Sequence, residues 1–419
     1  MTPRTPAAAI EVSATPRLPL GMTPARFLRD YWQKRPLLIR NAFAHFRNPV
    51  APDDLAGLAC EELALARIAV HEPARDRWTL RTGPFAEEEF ATLPQTHWTL
   101  LVQDVDKWDP DVAALLQPFD FLPSWRIDDV MVSYAEDGGS VGAHVDQYDV
   151  FLLQGLGRRR WQISVDPDAP KTFRTDTELK LLSAFTPTHE WLLEPGDMLY
   201  LPPGVPHHGV AVGACMTYSI GMRAPSQAEL LIDFAETLAE RIPESTRLSD
   251  ADLAPARGDG EIDDAAIARV LAAMPWLKQT SAGKEKSGAG SGDIGNVDSS
   301  VLRLWFGSFI TRYRSAQTTA PNPRPLGDAA FARALEGDAQ LQRNPWSRFA
   351  WMRAERGALL FVAGESHACS LRFARRVCAS TRFAMGDDSF TRRDLAVLRG
   401  LIDAGHLALI RRSRRKDPT

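Results

Sequence analysis

Between Leu122 and Met222 apolar and polar residues alternate in short runs, each closed by glycine or proline, and a period of two reads as strand. The runs are Asp129–Tyr134, Val141–Asp146, Val150–Gln154, Arg158–Ser164, Trp191–Leu193, Asp197–Leu201 and Met216–Met222. Gly138-Gly139, Gly155-Leu156-Gly157, Pro195-Gly196-Asp197 and Pro202-Pro203-Gly204 supply the turns between them. Many short strands at this spacing predict a sandwich or jelly roll rather than a parallel sheet. On either side the spacing is helical. Thr23-Pro24 offers an N-cap and a first-turn proline to a stripe running through Phe27 and Leu28 to Tyr31 and Trp32. Pro36–Arg40 then reads as a short strand, and residues 50–70, rich in Ala and Leu, as a helix. Gln227–Arg241, Asp263–Leu277 and Val301–Tyr313 are further helices. Two strand-like runs follow, Ala358–Ala363 and Ala368–Phe373, and then a helix ending at Asp403. Thr391-Arg392-Arg393-Asp394 opens that helix with a capping pattern and Gly405 follows its end. The class is α+β, with a winged-helix-like module last.

Composition sharpens this picture in a few places. A length of 419 residues exceeds one ordinary domain, and 44% hydrophobic residues suffice for a large core. A net charge of −4 gives no global attraction to nucleic acid or anionic lipid. Residues 1–20, rich in Pro and Ala, read as a mobile lead-in, and Arg411–Lys416 as a solvated basic tail. Thr280–Ser300, rich in Gly, Ser, Lys and Asp, is the clearest linker. The four cysteines are scattered, which fits a reducing cytoplasm. The first residues lack a signal pattern, and no apolar run reaches membrane-spanning length.

The chemistry concentrates on His144-x-Asp146 and on His207, in Pro-Pro-Gly-Val-Pro-His, with His208 beside it. Two imidazoles and one carboxylate on one octahedral face form the ligand set of a non-haem Fe(II) oxygenase, leaving positions for a co-substrate and O2. The spacing is weak alone: nine His and 53 acidic residues in 419 supply about one His-x-acid pair by chance. On a strand, His144, Asp146 and Tyr148 share a face. The next strand adds an independent sign. Arg159, Trp161 and Ile163 share its apolar face, and an unpaired guanidinium there costs several kcal/mol. A dicarboxylate co-substrate taking a bidentate fork from Arg159 removes that cost. Ser133, on a face with Asp129 and Met131, offers a hydroxyl to the same carboxylate. The bland alternatives are a surface pair for His144 and Asp146 and a structural carboxylate for Arg159. His45, His71, His97, His189, His367 and His406 show no ligand spacing and read as surface or helix residues.

These residues lie in longer motifs: Trp125-Arg126-x-Asp128-Asp129-Val130-Met131, Gly142 through Phe151, Gln154-Gly155-x-Gly157-Arg158-Arg159-Arg160-Trp161, and Glu194-Pro195-Gly196-Asp197 through Gly204. With Tyr31-Trp32-Gln33-Lys34-Arg35-Pro36-Leu37 and Trp305-Phe306-Gly307-x-Phe309-Ile310, they resemble the bacterial ribosomal oxygenases. Those are JmjC-type cupin-fold enzymes that hydroxylate an arginine of large-subunit ribosomal protein number sixteen. The similarity covers nearly the whole chain, densest from 120 to 223 and thin beyond 320. It implies Fe(II) held by His144, Asp146 and His207, with His207 favoured over His208 because it directly follows Pro-Pro-Gly-x-Pro. It implies 2-oxoglutarate on Ser133 and Arg159, and O2 as the other co-substrate. It implies a substrate-arginine pocket of Asp129, Met131 and Tyr148, where a carboxylate and a flat aromatic wall suit a guanidinium. The implied layout is a double-stranded β-helix JmjC domain over 1–225, a helical dimerisation segment over 226–279, a linker over 280–300 and a winged-helix-like domain over 301–419. The implied assembly is a homodimer. Departures lie in the expanded linker, the basic tail and His208, which has no role in that family.

Three other classes stay open at this point. A cupin metalloenzyme without 2-oxoglutarate needs no inward arginine. An amine demethylase with the same centre releases formaldehyde. A DNA-binding regulator would read DNA through Phe390–Asp403, where Arg392, Arg393 and Arg399 stand beside Asp394 and Asp403. That is a poor electrostatic match to phosphate.

Overall fold

The computed structural model describes residues 10–251, 253, 264–274, 299–312, 319–336, 339–384 and 390–410. Most of the linker and the basic tail of the sequence reading lie outside these residues. The large sheet uses β1 (Glu11–Ser13), β2 (Leu37–Arg40), β3 (Ala66–Glu72), β4 (Arg77–Thr82), β5 (Trp98–Val102), β6 (Ile127–Ala135), β7 (Val150–Ile163), β8 (His189–Leu193), β9 (Met198–Leu201) and β10 (His207–Met222). Its order is β1-β2-β9-β7-β10-β6-β5-β3-β4, with β8 on the far half of β7. The strands form the jelly-roll barrel expected from the sequence: β7 and β10 run antiparallel through its middle, and their two halves serve both walls.

Several expectations change here, each for a physical reason. Val150–Gln154 and Arg158–Ser164 are one strand, and Gly155-Leu156-Gly157 is a bulge in it rather than a turn. Gly157 has φ +59°, and a Cβ there would stand 2.1 Å from the Ala214 carbonyl. The inserted residue flips the inward parity, so Leu152 before it and Trp161 after it share one buried cluster. Met216–Met222 likewise extends back to His207. Val141–Asp146 is not a strand, because Gly142 adopts φ +77° and Ser140 Oγ accepts its N–H. Within residues 50–70 only Pro52–Leu58 is helical (α1 being Pro24–Asp30, and this α2); Ala66 onward pairs with β5 and β4. The mobile lead-in also shrinks, since β1 pairs parallel with β2 and Leu20 is buried. The strands β3 to β5 have no counterpart in the sequence reading.

One aromatic core carries the barrel's outer face. Phe27 on α1 meets Tyr200 edge-on at 5.0 Å and Phe151 at 5.8 Å, with Trp32 stacked on Tyr200 at 5.9 Å. Short helices α3 (Glu87–Phe90), α4 (Val105–Trp108) and α5 (Pro110–Ala114) cover the same side. After the barrel come α6 (Gln227–Ala239), α7 (Asp264–Ala273) and α8 (Ser299–Thr311). Arg223, at the end of β10, donates to the Ile310, Arg312 and Phe309 carbonyls at 2.7, 3.1 and 3.3 Å. A cation there complements the C-terminus of α8 and ties it to the barrel.

The last module holds α9 (Asp328–Glu336), α10 (Leu371–Ala379) and α11 (Arg392–Asp403) with two small sheets. One orders β15 (Arg382–Ala384), β11 (Gln340–Arg343) and β16 (Leu407–Ile410); the other β12 (Phe349–Arg353), β13 (Ala358–Val362) and β14 (Glu365–Cys369). The strand expected over Ala368–Phe373 stops at Cys369, because Ser370 Oγ accepts the Phe373 N–H and starts α10. Thr391 and Asp394 form the capping box of α11, and Gly405 takes φ +80° after it.

Candidate metal centre

His144 is held opposite His207 by a pair of backbone hydrogen bonds, each 3.0 Å, in an isolated bridge. Convergence therefore comes from this bridge and not from strand alternation. The loop is pinned further along, where the Gly204 N–H donates to the Asp146 carbonyl at 2.7 Å. Beyond it, the fully buried Asp149 accepts from Tyr200 Oη at 2.6 Å, Gln33 Nε2 at 2.9 Å and Arg126 at 3.2 Å. That network gives the Tyr31–Leu37 motif a physical role: it anchors the ligand loop.

Asp146 stands between the imidazoles, with Oδ1 3.9 Å from His144 Nε2 and Oδ2 3.6 Å from His207 Nε2. Among the described residues these three are the only group whose ligand atoms gather around one point. His144 Nδ1 lies 2.9 Å from the Gly142 carbonyl, and His207 Nδ1 2.9 Å from that of Val205. A carbonyl only accepts, so each Nδ1 carries a proton and each Nε2 is turned toward the other ligand atoms. Burial, then His144, holds the His207 imidazolium well below the usual range, so this ring is neutral. Burial pushes the Asp146 carboxyl up, while His144 opposes the shift. Two imidazoles and a carboxylate gathered in this way suit a divalent cation.

Arg159 is 3% exposed and lies over the Trp161 ring at 5.3 Å. Its Nη2 donates to the Gly209 carbonyl at 3.2 Å, but Nε and Nη1 have no hydrogen-bond partner among the described residues. No carboxylate among the described residues forms an ion pair with it. Burial lowers its pKa accordingly. Gly209 belongs to the arrangement: a Cβ there would stand 2.7 Å from the Trp161 ring and 2.8 Å from Arg159 Nε. Ser133 is buried on β6, its hydroxyl 3.4 Å from the Thr217 carbonyl. The buried Thr99 hydroxyl, unpartnered among the described residues, is a polar group that sequence reasoning missed; it lies on β5 opposite Ala135. Its only signal was the alternation of Trp98–Val102.

Asp129, Met131 and Ser133 alternate with the core residues Val130 and Val132, so the strand carries them to the inner wall. The Asp129 carboxyl is pushed up to about 7 by burial first, then by Asp104, Asp106 and Asp128. Its Oδ2 accepts the Asp104 N–H at 3.2 Å, and Gly221 leaves room beside Oδ1. Tyr148 follows Asp146 by two residues in the ligand loop, and its phenol is held up by partial burial and then by Asp146, Asp129 and Asp128. The turn Asp104–Lys107 is a second element absent from the sequence reading. Asp106 accepts the Val130 N–H at 2.8 Å, and Lys107 donates to the Asp128 carbonyl at 3.3 Å.

His208 packs edge-on against Phe185, and burial lowers its pKa to about 4. Among the other histidines, His406 corrects the surface reading: it is buried with Nδ1 2.8 Å from Ser347 Oγ.

The JmjC domain family matches residues 114–230, and the ROXA-like winged helix matches 298–408. The ribosomal protein uL16 3-hydroxylase of Escherichia coli is 36% identical over 317 residues, 76% of this chain and 79% of that protein. A probable ribosomal oxygenase of Haemophilus influenzae is 40% identical over 56% of this chain and 58% of its own length. The structure of an Escherichia coli ribosomal oxygenase in complex with cobalt and 2-oxoglutarate superposes with a TM-score of 0.72 at 31% identity, covering 93% of this chain and 99% of that one. The chain belongs to the JmjC-domain ribosomal oxygenases.

Proposed function

We propose that this protein is an Fe(II)- and 2-oxoglutarate-dependent oxygenase that hydroxylates the β-carbon of an arginine in large-subunit ribosomal protein uL16. The observation that carries the reading is Arg159: a buried guanidinium with two nitrogens unpartnered among the described residues, on the same inner wall as the His-Asp-His triad. A cupin metalloenzyme without a dicarboxylate has no use for such an arginine. The uL16 3-hydroxylase of Escherichia coli supports the substrate and the reaction. When bound, iron with 2-oxoglutarate supplies the oxidising chemistry that inserts one oxygen atom of O2 into an unactivated C–H bond, with succinate and CO2 as co-products.

The residues supply geometry. His144, Asp146 and His207 hold the metal and keep its remaining positions open. Arg159 would offer its guanidinium to the distal carboxylate of 2-oxoglutarate, supplying the counter-charge it lacks among the described residues, and Ser133 would add a hydroxyl. Asp129 receives the substrate guanidinium, Met131 and Tyr148 wall it, and Trp161 excludes water from the anchor. No acid or base beyond the metal centre is required.

The layout proposed with this function is a barrel domain to 225, a helical dimerisation segment over 226–279, a linker over 280–300 and a winged-helix-like domain from 301, which the winged-helix match over 298–408 supports. Leu231 and Ile232 on α6 are 69% and 60% exposed, and Ile267, Val270 and Leu271 on α7 are also exposed. Such an apolar surface supports a homodimer through this segment. A monomeric mass in solution would dismiss it. Among the described residues no helix is long and apolar enough to cross a membrane. With a ribosomal substrate and four free cysteines, the proposed compartment is the cytoplasm.

The test is mass spectrometry of isolated ribosomal proteins after anaerobic loading with Fe(II) and 2-oxoglutarate and exposure to air. One added oxygen on an arginine of uL16 is the expected result. Succinate without that mass shift would keep the oxygenase and reject the substrate. Formaldehyde release would favour a demethylase.

Gly209→Ala probes the anchor without touching its charge. A methyl group in contact with Trp161 and Arg159 displaces the guanidinium, so the KM for 2-oxoglutarate should rise about tenfold while metal affinity holds. An unchanged KM would mean that the co-substrate is not held there.

A further inference from the structure

We propose that the winged helix is a working part of the substrate pocket, with Arg348 as a positioning residue that holds Asp128 and thereby sets the place and charge of Asp129. The inference rests on the reading of Asp129 as the guanidinium's partner. Arg348 lies between β11 and β12, and reaches across to the barrel. Its Nη2 donates to Asp128 Oδ1 and lies 3.4 Å from the Asp128 carbonyl. Trp346, two residues before it, meets Trp108 edge-on at 5.9 Å, and β12 packs on the turn Ser124–Arg126 that leads into β6.

The barrel grips the same stretch of β6 from the other side. The Asp104 N–H binds Asp129, Asp106 binds the Val130 N–H, and Lys107 binds both Asp106 and the Asp128 carbonyl. Asp128, Asp129 and Val130 are therefore clamped between α4 and the winged helix. Four aspartates meet here, and the cations on the clamp are Lys107 and Arg348. Asp129 faces Asp104, Asp106 and Lys107 from the α4 turn, Asp128 from its own strand and Tyr148 from the ligand loop. β10 presents Gly221 to it. Arg348 answers the charge of Asp128, the neighbour least covered by the barrel.

A half-exposed ion pair contributes little to stability, and the Asp128 side chain is 47% exposed against 15% for Arg348. The pair's consequence lies in the pocket. Without Arg348, Asp128 keeps an uncompensated charge and the edge of β6 loses one of its two grips. Asp129 then holds its proton to higher pH and sits less firmly against an incoming guanidinium.

The experiment compares Arg348→Ala and Arg348→Lys with the wild type, all metal-loaded and full-length. For uL16 the KM of Arg348→Ala should rise about tenfold with kcat within about twofold, and Arg348→Lys should recover most of the loss. Succinate formation without substrate, and the 2-oxoglutarate KM, should not change. The Asp129 carboxyl, followed by carbon NMR with Asp129→Asn as the assignment control, should titrate at higher pH in Arg348→Ala. That readout decides the positioning role even if uL16 proves not to be the substrate. An unmoved Asp129 titration overturns the proposal, as does equal damage to substrate-free succinate formation.

Discussion

Asp146→Ala is expected to bring hydroxylation and succinate formation below detection, a loss beyond about a thousandfold, in a protein that remains folded. Asp146 is the one anionic group of the triad, and its two oxygens address different imidazoles. Without it a divalent cation meets two neutral rings and keeps its full charge in a partly buried site, so metal affinity falls with activity. The fold has little to lose. Burial already opposes the ionised carboxylate, and the bridge between His144 and His207 is made by backbone. Melting temperature without metal should therefore match or exceed the wild type. Added Mn(II) should raise it in the wild type and leave the variant unmoved. Succinate production above about one per cent of the wild-type rate would remove Asp146 from the metal site.

How far the sequence foretold this site depends on which interactions are local. The inward arginine was legible because Arg159, Trp161 and Ile163 alternate on one strand, and alternation is a local property. The capping box of α11 was legible for the same reason. The ligand loop was not read as the structure has it. Its shape depends on Gly142 at positive φ and on pairing with His207, a long-range partner. The bulge at Gly155–Gly157 looked like a turn because glycines mark both, and only the opposite strand distinguishes them. The α4 turn stayed invisible. Asp104, Asp106 and Lys107 look like ordinary surface charge until β6 is laid against them.

The same long-range logic weakens the DNA-reading alternative for the last module. Arg399, one of the three arginines available on α11, pairs with Asp328, donates to the Leu326 carbonyl at 2.9 Å and lies over Phe331. It is committed inside the module. Arg348, from a loop the sequence did not single out, is committed to the barrel. The winged helix therefore turns part of its positive charge inward, toward the catalytic domain, which argues for a protein-directed role.

Asp129→Asn should stabilise the protein above neutral pH while stripping it of substrate affinity. The carboxyl ionises near 4 in an unfolded chain and at about 7 in the fold, where burial and then Asp104, Asp106 and Asp128 oppose its charge. Below pH 4 both states are protonated and the group makes no difference. Between pH 4 and 7 the unfolded chain releases the proton and the native state keeps it, so stability falls as pH rises. Above 7 the full penalty applies, on the order of 2–4 kcal/mol. Asparagine keeps the shape and an acceptor for the Asp104 N–H, without the charge. Thermal melts at pH 8 should favour the variant, and the advantage should vanish toward pH 4. An arriving guanidinium reverses the balance in the wild type, because it supplies the counter-charge that the aspartate cluster lacks. Efficiency toward uL16 should accordingly rise as pH passes through 7 in the wild type. In Asp129→Asn it should be flat with pH and about a hundredfold lower, the usual cost of removing one partner from a desolvated charge pair. A variant that is less stable at pH 8, or that keeps the wild-type pH profile, would show that this buried carboxylate is structural. Stability gained and recognition lost at one residue would instead mark a charge kept under strain for its ligand.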